Sequence, residues 1–225
     1  MEQHNFGRKC RINNNTSRVG RLIGEGLIEH MKLIVITAEQ NINNEAAILN
    51  KLLQNGLLLL HIRKPEYTAT EMAHLLEKIL PEFHSRIVLH SHFTLLNQFA
   101  LKGIHLNKRN PEFKNNSNCS VSISCHSVEE IAQKANKYDY LFLSPIFNSI
   151  SKENYTSKFS TTELMQAKQE GIINNKIIAL GGINASNIST VKNYGFGGAA
   201  VLGAIWNTAS ENQIINTYNK LKTEI

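Results

Sequence analysis

The chain lacks the features that would commit it to a membrane, an export route or nucleic acid. No run approaches the ~20 apolar residues that cross a bilayer, and the first residues lack the apolar segment of a secretion signal. No Lys/Arg cluster is interleaved with aromatics, so the net charge of +6 is too diffuse for a nucleic-acid surface and suits small anionic substrates. Cysteine is scarce: Cys10, Cys119 and Cys125 are odd in number and match no zinc spacing, so the expectation is reduced thiols in a cytoplasmic protein. No Gly-x-Gly-x-x-Gly follows the first apolar run, which weakens a dinucleotide fold. Beyond the asparagines of Asn13-Asn14-Asn15 there is no low-complexity segment.

What is present is an alternation. Of 225 residues, 42% are hydrophobic, enough for one large core. Short apolar runs are expected as strands near Leu33–Thr37, Leu57–Arg63, Ile87–His90, Gly103–Leu106, Val121–Cys125, Tyr140–Ser144, Ile177–Leu180 and Ala199–Leu202. Between most of them lie helical stretches such as Glu71 to Leu80, with apolar residues at three-to-four spacing. Strand–helix alternation implies a parallel sheet, and near-continuous apolar strands such as Leu57-Leu58-Leu59-Leu60 imply burial on both faces. A single (β/α)8 barrel over residues 31–225 satisfies both, with a doubly wound open sheet as the alternative. Residues 1–30 show neither period and are expected to be an unstructured extension or a misassigned start, Met31 standing directly before the first strand; a basic nucleic-acid arm is the functional alternative.

In a barrel the chemistry sits at the carboxyl ends of the strands. The seventh and eighth runs both break at glycine, at Gly181-Gly182 and at Gly203, where backbone N–H groups and a helix start can cradle a phosphate. The second strand ends in His61-Ile62-Arg63-Lys64-Pro65. Period-two alternation puts His61 and Arg63 on one face, so that Arg63 offers a fork and Lys64 a point charge to an anion. Ser127 and Glu130 form the pattern of a capping box, which ends the fifth strand and leaves His126 at the mouth as a proton carrier. A polar loop after the sixth strand carries Lys152, able to fold over a bound phosphate. Of nine histidines, His61, His90, His92, His105 and His126 fall near strand ends, with His90-Ser91-His92 the nearest thing to a ligand pair; without a strand-end carboxylate, no metal ligand set is assigned.

Taken together, His61-Ile62-Arg63, Gly103-Ile104-His105-Leu106, Ser124 to Glu130, Asp139-Tyr140 running to Ser144-Pro145-Ile146-Phe147, Lys152, Gly181-Gly182-Ile183 and Gly197 to Val201 resemble the thiamine phosphate synthase family and its close relatives, the TenI-type thiazole tautomerases. The resemblance spans about Met31 to Asn207. It implies a (β/α)8 barrel acting on the thiazole phosphate half of thiamine. It further implies that Gly181, Gly182, Gly203 and Ala204 hold that phosphate, that Arg63 faces the diphosphate of the pyrimidine partner, that Lys152 reaches either phosphate, and that His126 is the tautomerase acid/base.

The departures set the expected activity. Synthases carry Asn-Asp after the third strand and a further Asp after the fourth, which hold Mg²⁺; here these places read His90-Ser91 and Asn110, and Pro65 replaces a lysine. Two neutral replacements weaken Mg²⁺-assisted diphosphate departure. The expectation is therefore a metal-free thiazole tautomerase using His126. The alternatives are a synthase in which His90, His92 or a loop lysine supplies the missing stabilisation or Mg²⁺ still assists, and a non-catalytic binder of a thiamine precursor. The sequence does not set an oligomeric state, though exposed apolar helix faces could support a homodimer.

Overall fold

The computed structural model describes residues 31–113, 119–148, 157–207 and 210–225. Lys152 and the 1–30 segment lie outside the described residues.

Eight parallel strands close into a barrel in chain order: β1 Lys32–Ile36, β2 Leu59–Ile62, β3 Ile87–Leu89, β4 Gly103–Leu106, β5 Ser120–Cys125, β6 Tyr140–Leu143, β7 Ile177–Leu180 and β8 Gly198–Val201. Closure, with β8 pairing back to β1 from Lys32↔Gly198 to Val35↔Val201, removes the open-sheet alternative. The strands carry Val, Ile and Leu on their outer face, where Val35, Leu60, Ile62, Leu89, Leu141 and Ala179 pack against the helices.

The helices are α1 Glu45–Gln54, α2 Ala69–Glu77, α3 Val128–Lys134, α4 Thr161–Gln169, α5 Ile188–Asn193, α6 Gly203–Trp206 and α7 Glu211–Thr223. Their starts are written in the sequence. Thr68 accepts from the Glu71 N–H while the Glu71 carboxylate accepts from the Thr68 N–H, a complete capping box. Ser160 and Ser210 accept from the N–H groups of Glu163 and Gln213. The expected box at α3 is only half made: Ser127 accepts from Glu130 N–H, but the Glu130 carboxylate accepts instead from His126 N–H at 2.6 Å. Between β3 and β4 there is no α-helix; His92, in the left-handed region at φ 54°, turns the chain into a 3-10 turn over Phe93–Asn97. Among the described residues, no helix is long and apolar enough to cross a membrane.

Paired residues on neighbouring strands share a face, so the registers define what fills the barrel. Ile34, Ile36, Phe142, Ile178 and Ala200 form a separate apolar cluster inside it. Along β2 to β6 the inward positions are mostly polar: His61, His105, Ser122, Ser124 and Tyr140, with His90 one step beyond β3 and with Val88 and Phe142 as apolar neighbours. Space for both halves comes from missing side chains. A Cβ on Gly103 would lie 1.9 Å from the Ser120 carbonyl oxygen, and one on Gly198 would lie 2.8 Å from Ile178 Cδ1. Trp206 closes the top of this arrangement by donating its indole N–H to the Ile36 carbonyl at 2.6 Å.

Gly103→Ala forces β4 away from β5 at the strand carrying His105. We expect a loss of about 3 kcal/mol, read as a lower denaturation midpoint with an unchanged m-value; a midpoint equal to wild type would refute the close approach.

Candidate active site at the carboxyl ends of the strands

Arg63 stands where the alternation puts it, at the rim just past β2. Its backbone is fixed twice by one hydroxyl: Arg63 N–H donates to Thr37 Oγ1 at 2.9 Å, and Thr37 Oγ1–H donates to the Arg63 carbonyl at 3.3 Å. The guanidinium pairs with Glu39, in the loop after β1, and its side chain remains 40% exposed. A planar fork in this position is free to meet an anion.

Lys64 is not the second cation of the site. Successive strand residues point to opposite faces, and Lys64 turns outward beneath α1, where its ammonium bonds Glu45 at 2.7 Å and the Gln40 carbonyl at 2.6 Å. Both side chains are buried, at 0% and 5% exposure. Burial raises the Glu45 carboxyl above its ordinary pKa, the Lys64 contacts opposing that shift, and Glu45 Oε1 is left without a hydrogen-bond partner.

The histidines converge inside the barrel rather than around its rim. His61 Nδ1 and His90 Nε2 share a hydrogen bond of 3.0 Å, and His61 Nε2 meets the Tyr140 hydroxyl at 2.8 Å. The His90 and His105 rings stack with centroids 4.4 Å apart. His105 is held by Ser122 Oγ on Nδ1 at 2.9 Å and by Ser124 Oγ on Nε2 at 3.0 Å. Burial holds all three imidazoles neutral: His61 and His90 lie well below their usual pKa, and His105 is lowered to about 3. The Arg63 charge acts in the same direction on His90 and His105, and a proton on one ring opposes a proton on its neighbours. His90, expected as a ligand-binding residue, is thus committed to this internal network. His92 leaves it, donating Nε2–H to the Tyr67 carbonyl at 2.6 Å. His90 and His92, the nearest thing to a ligand pair in the sequence, point to different partners. Among the described residues the group able to hold a metal ion is His61, His90 and His105, where the sequence reading assigned none.

The positions corresponding to the absent aspartates offer neutral groups only. Ser91 Oγ is buried without a partner, and the Asn110 amide donates to the His90 carbonyl at 3.2 Å, beside Asn107 at 2.7 Å.

His126 lies on the mouth beyond β5 with its tautomer set by its neighbour: Nδ1–H donates to the Ser144 carbonyl at 3.0 Å, which leaves Nε2 as the basic nitrogen. Ser144 leads through a cis peptide bond into Pro145 and the loop that packs on β7. There Gly181 and Gly182 have φ of +100° and +65°, and added Cβ atoms would lie 2.9 Å from Pro145 Cα and 2.3 Å from the Asn148 carbonyl oxygen. Only glycine permits this turn and this approach. Gly203 and Ala204 open α6, where N–H groups have no acceptor within the helix. A groove of about 640 Å³ bordered by Asn44, Tyr67, Glu71 and His74 lies between α1 and α2 and contains none of Arg63, His61, His90, His105, His126, Gly181 or Gly182; it is not the site.

Sequence reasoning missed the partners Glu39, Thr37, Tyr140, Ser122 and Ser124, and the convergence of His61 and His105. The signal was available in the alternation that placed His61 inward beside Arg63; the same rule on β4 and β5 brings His105 to Ser122 and Ser124.

A family model described as thiamine monophosphate synthase matches residues 33–205. The thiamine-phosphate synthase of Lysinibacillus sphaericus is 25% identical over 206 residues, 86% of this chain and 96% of that protein. The corresponding protein of Listeria welshimeri is 29% identical over 142 residues, 60% of this chain and 68% of its own. Among solved structures, a thiamine phosphate pyrophosphorylase from Bacteroides thetaiotaomicron superposes with a TM-score of 0.80 at 42% identity, covering 86% of this chain and 97% of that one.

Removing one half of the buried pair isolates a charge. Glu45→Gln is expected to lose about 3–5 kcal/mol of unfolding free energy, while Glu45→Leu with Lys64→Met regains more than half of that. Equal losses in the single and double variants, by chemical denaturation, would show that the pair is not what the site loses.

Proposed function

The chain belongs to the thiamine monophosphate synthase family, and from that membership we propose that it is a thiamine-phosphate synthase, joining hydroxymethylpyrimidine diphosphate to thiazole phosphate with release of diphosphate. This replaces the tautomerase as the first reading. The observation that carries it is the 42% identity to a thiamine phosphate pyrophosphorylase along 97% of that chain. In the reaction the thiazole nitrogen supplies the electron pair for the new bond to the pyrimidine methylene carbon. The bond from that carbon to the diphosphate oxygen breaks, and diphosphate leaves with its electrons.

The activity as named implies Mg²⁺, and the residues present do not fit it. Hard Mg²⁺ takes carboxylate oxygens and waters. At the rim it would meet a buried serine hydroxyl and an amide already donating to a carbonyl. Charge on the leaving diphosphate therefore falls to Arg63, whose backbone is held while its guanidinium reaches out from Glu39. Gly181 and Gly182 turn their backbone toward the thiazole phosphate in this reading, with Gly203 and Ala204 beside them at the end of the neighbouring strand. His61 and His90, being neutral, add no charge to repel a substrate cation developing at the methylene carbon.

A second reading, thiazole tautomerase, has one observation in its favour: His126 presents Nε2 at the mouth, its ring fixed through Nδ1–H on the Ser144 carbonyl. One imidazole can remove a proton at one carbon and return it at another.

Purified protein given both substrates is expected to form thiamine phosphate, measured as fluorescent thiochrome, with Arg63→Ala lowering kcat/KM by about 10²–10³. No product beside an active control synthase overturns the synthase. His126→Gln decides the second reading: it abolishes formation of the aromatic thiazole if His126 is the acid/base, while thiamine phosphate synthesis falls less than about tenfold. Aromatisation unchanged in His126→Gln removes the tautomerase mechanism.

A further inference from the structure

The same residues that fail to suit magnesium suit a different class of ion. We propose that His61, His90 and His105 form a binding site for a d-block divalent cation of the zinc type, inside the barrel. The three side chains come from consecutive strand ends, β2, β3 and β4, and each offers a ring nitrogen within 4.8 Å of the others. His61 Nδ1 and His90 Nε2 already lie 3.0 Å apart. In a tetrahedral site with Zn–N of roughly 2.0–2.1 Å, ligand nitrogens sit about 3.4 Å from one another. Small ring rotations close the difference.

The surroundings match those of ligating imidazoles, whose second nitrogen is characteristically held by an outer group that fixes ring orientation. Tyr140 holds His61 through Nε2 at 2.8 Å. Ser122 and Ser124 hold the two nitrogens of His105. On binding, one of these hydroxyls keeps the His105 ring while the other yields its nitrogen to the ion. Asn107 and Asn110 fasten the His90 backbone from outside by donating to its carbonyl.

The donor set determines the class of ion. Three imidazoles and no carboxylate select zinc, cobalt, nickel or copper over magnesium and calcium. Three neutral ligands also leave the ion's double charge uncompensated and a fourth position open, which an anionic oxygen, such as that of a phosphate, fills in catalytic sites of this type. The site stands whether or not the chain is a synthase, since it rests on the histidines alone.

The test uses the full chain stripped with EDTA and then titrated with Zn²⁺ by calorimetry, with bound metal counted after dialysis. One equivalent is expected, unaffected by millimolar Mg²⁺. His61→Gln and His90→Asn are each expected to weaken binding at least about 100-fold, with circular dichroism confirming the fold. Co²⁺ on the unmodified chain gives a readout that needs no variant: intense visible bands of a four-coordinate nitrogen and oxygen site, without a near-ultraviolet thiolate band. Absence of binding would leave the histidines as a hydrogen-bonded network only and overturn the proposal. Full binding in the His61→Gln/His90→Asn double variant, displacement by Mg²⁺, or a thiolate band pointing to the cysteines would overturn it equally.

Discussion

A closed ring of eight strands leaves a fixed interior volume, and alternate residues of each strand must fill it. The rest of this molecule follows from how that volume is divided. From β6 around to β1 it is filled by Ile34, Ile36, Phe142, Ile178 and Ala200. From β2 to β6 three imidazoles, two hydroxyls and a phenol predominate, packed against Val88 and the Phe142 ring. Glycine at positions 103 and 198 makes the division possible, because a methyl group at either would strike the backbone or the facing Ile178. The rim inherits this asymmetry: Arg63 stands above the polar half, and the glycine turn at Gly181-Gly182 above the apolar half.

Two concentrations of buried polar groups solve the cost of desolvation in opposite ways. Inside the barrel the groups are neutral and satisfied by one another, so that burial lowers the imidazole pKa values and raises the Tyr140 phenol, and no charge remains to compensate. Outside it, beneath α1, Lys64 and Glu45 face each other as ions, with a carbonyl and the Tyr67 ring nearby. The first arrangement holds neutral ring nitrogens at one depth in hydrogen bonds for which a ligand would have to compete. The second leaves only Glu45 Oε1 unmatched and ties α1 to the end of β2.

Much of this was legible in the sequence, and the failures have one source. The strands Gly103–Leu106 and Ile177–Leu180 were expected with the bounds they have, because glycine or a polar break marks both ends. The second strand was expected too long: Leu57 is apolar because it packs in the outer core, Leu58 is exposed, and neither joins the ladder. Arg63 and His126 lie at the mouth, as strand ends do. Lys64 was misread because its charge was weighed without its direction: on an extended chain the neighbour of an inward residue points outward. The sequence groups His61, His90, His92, His105 and His126 as strand-end residues, with a metal site set aside for want of a carboxylate; composition along one strand does not reveal that three strands bring His61, His90 and His105 to one depth. That information resides in the register between strands, which no single strand encodes.

The pairing of Arg63 with Glu39 has a consequence for selectivity. The arginine does not wait as an uncompensated cation: Glu39 occupies one guanidinium nitrogen, Nη1, and leaves the rest of the fork exposed. A monoanion such as chloride or acetate brings no more charge than the carboxylate already there and gains little from a half-neutralised partner. A phosphate or diphosphate brings two or more charges and a fork of oxygens that the guanidinium meets with paired bonds. Partial neutralisation at the mouth of the barrel thereby weights recognition toward ligand valence, without any steric gate.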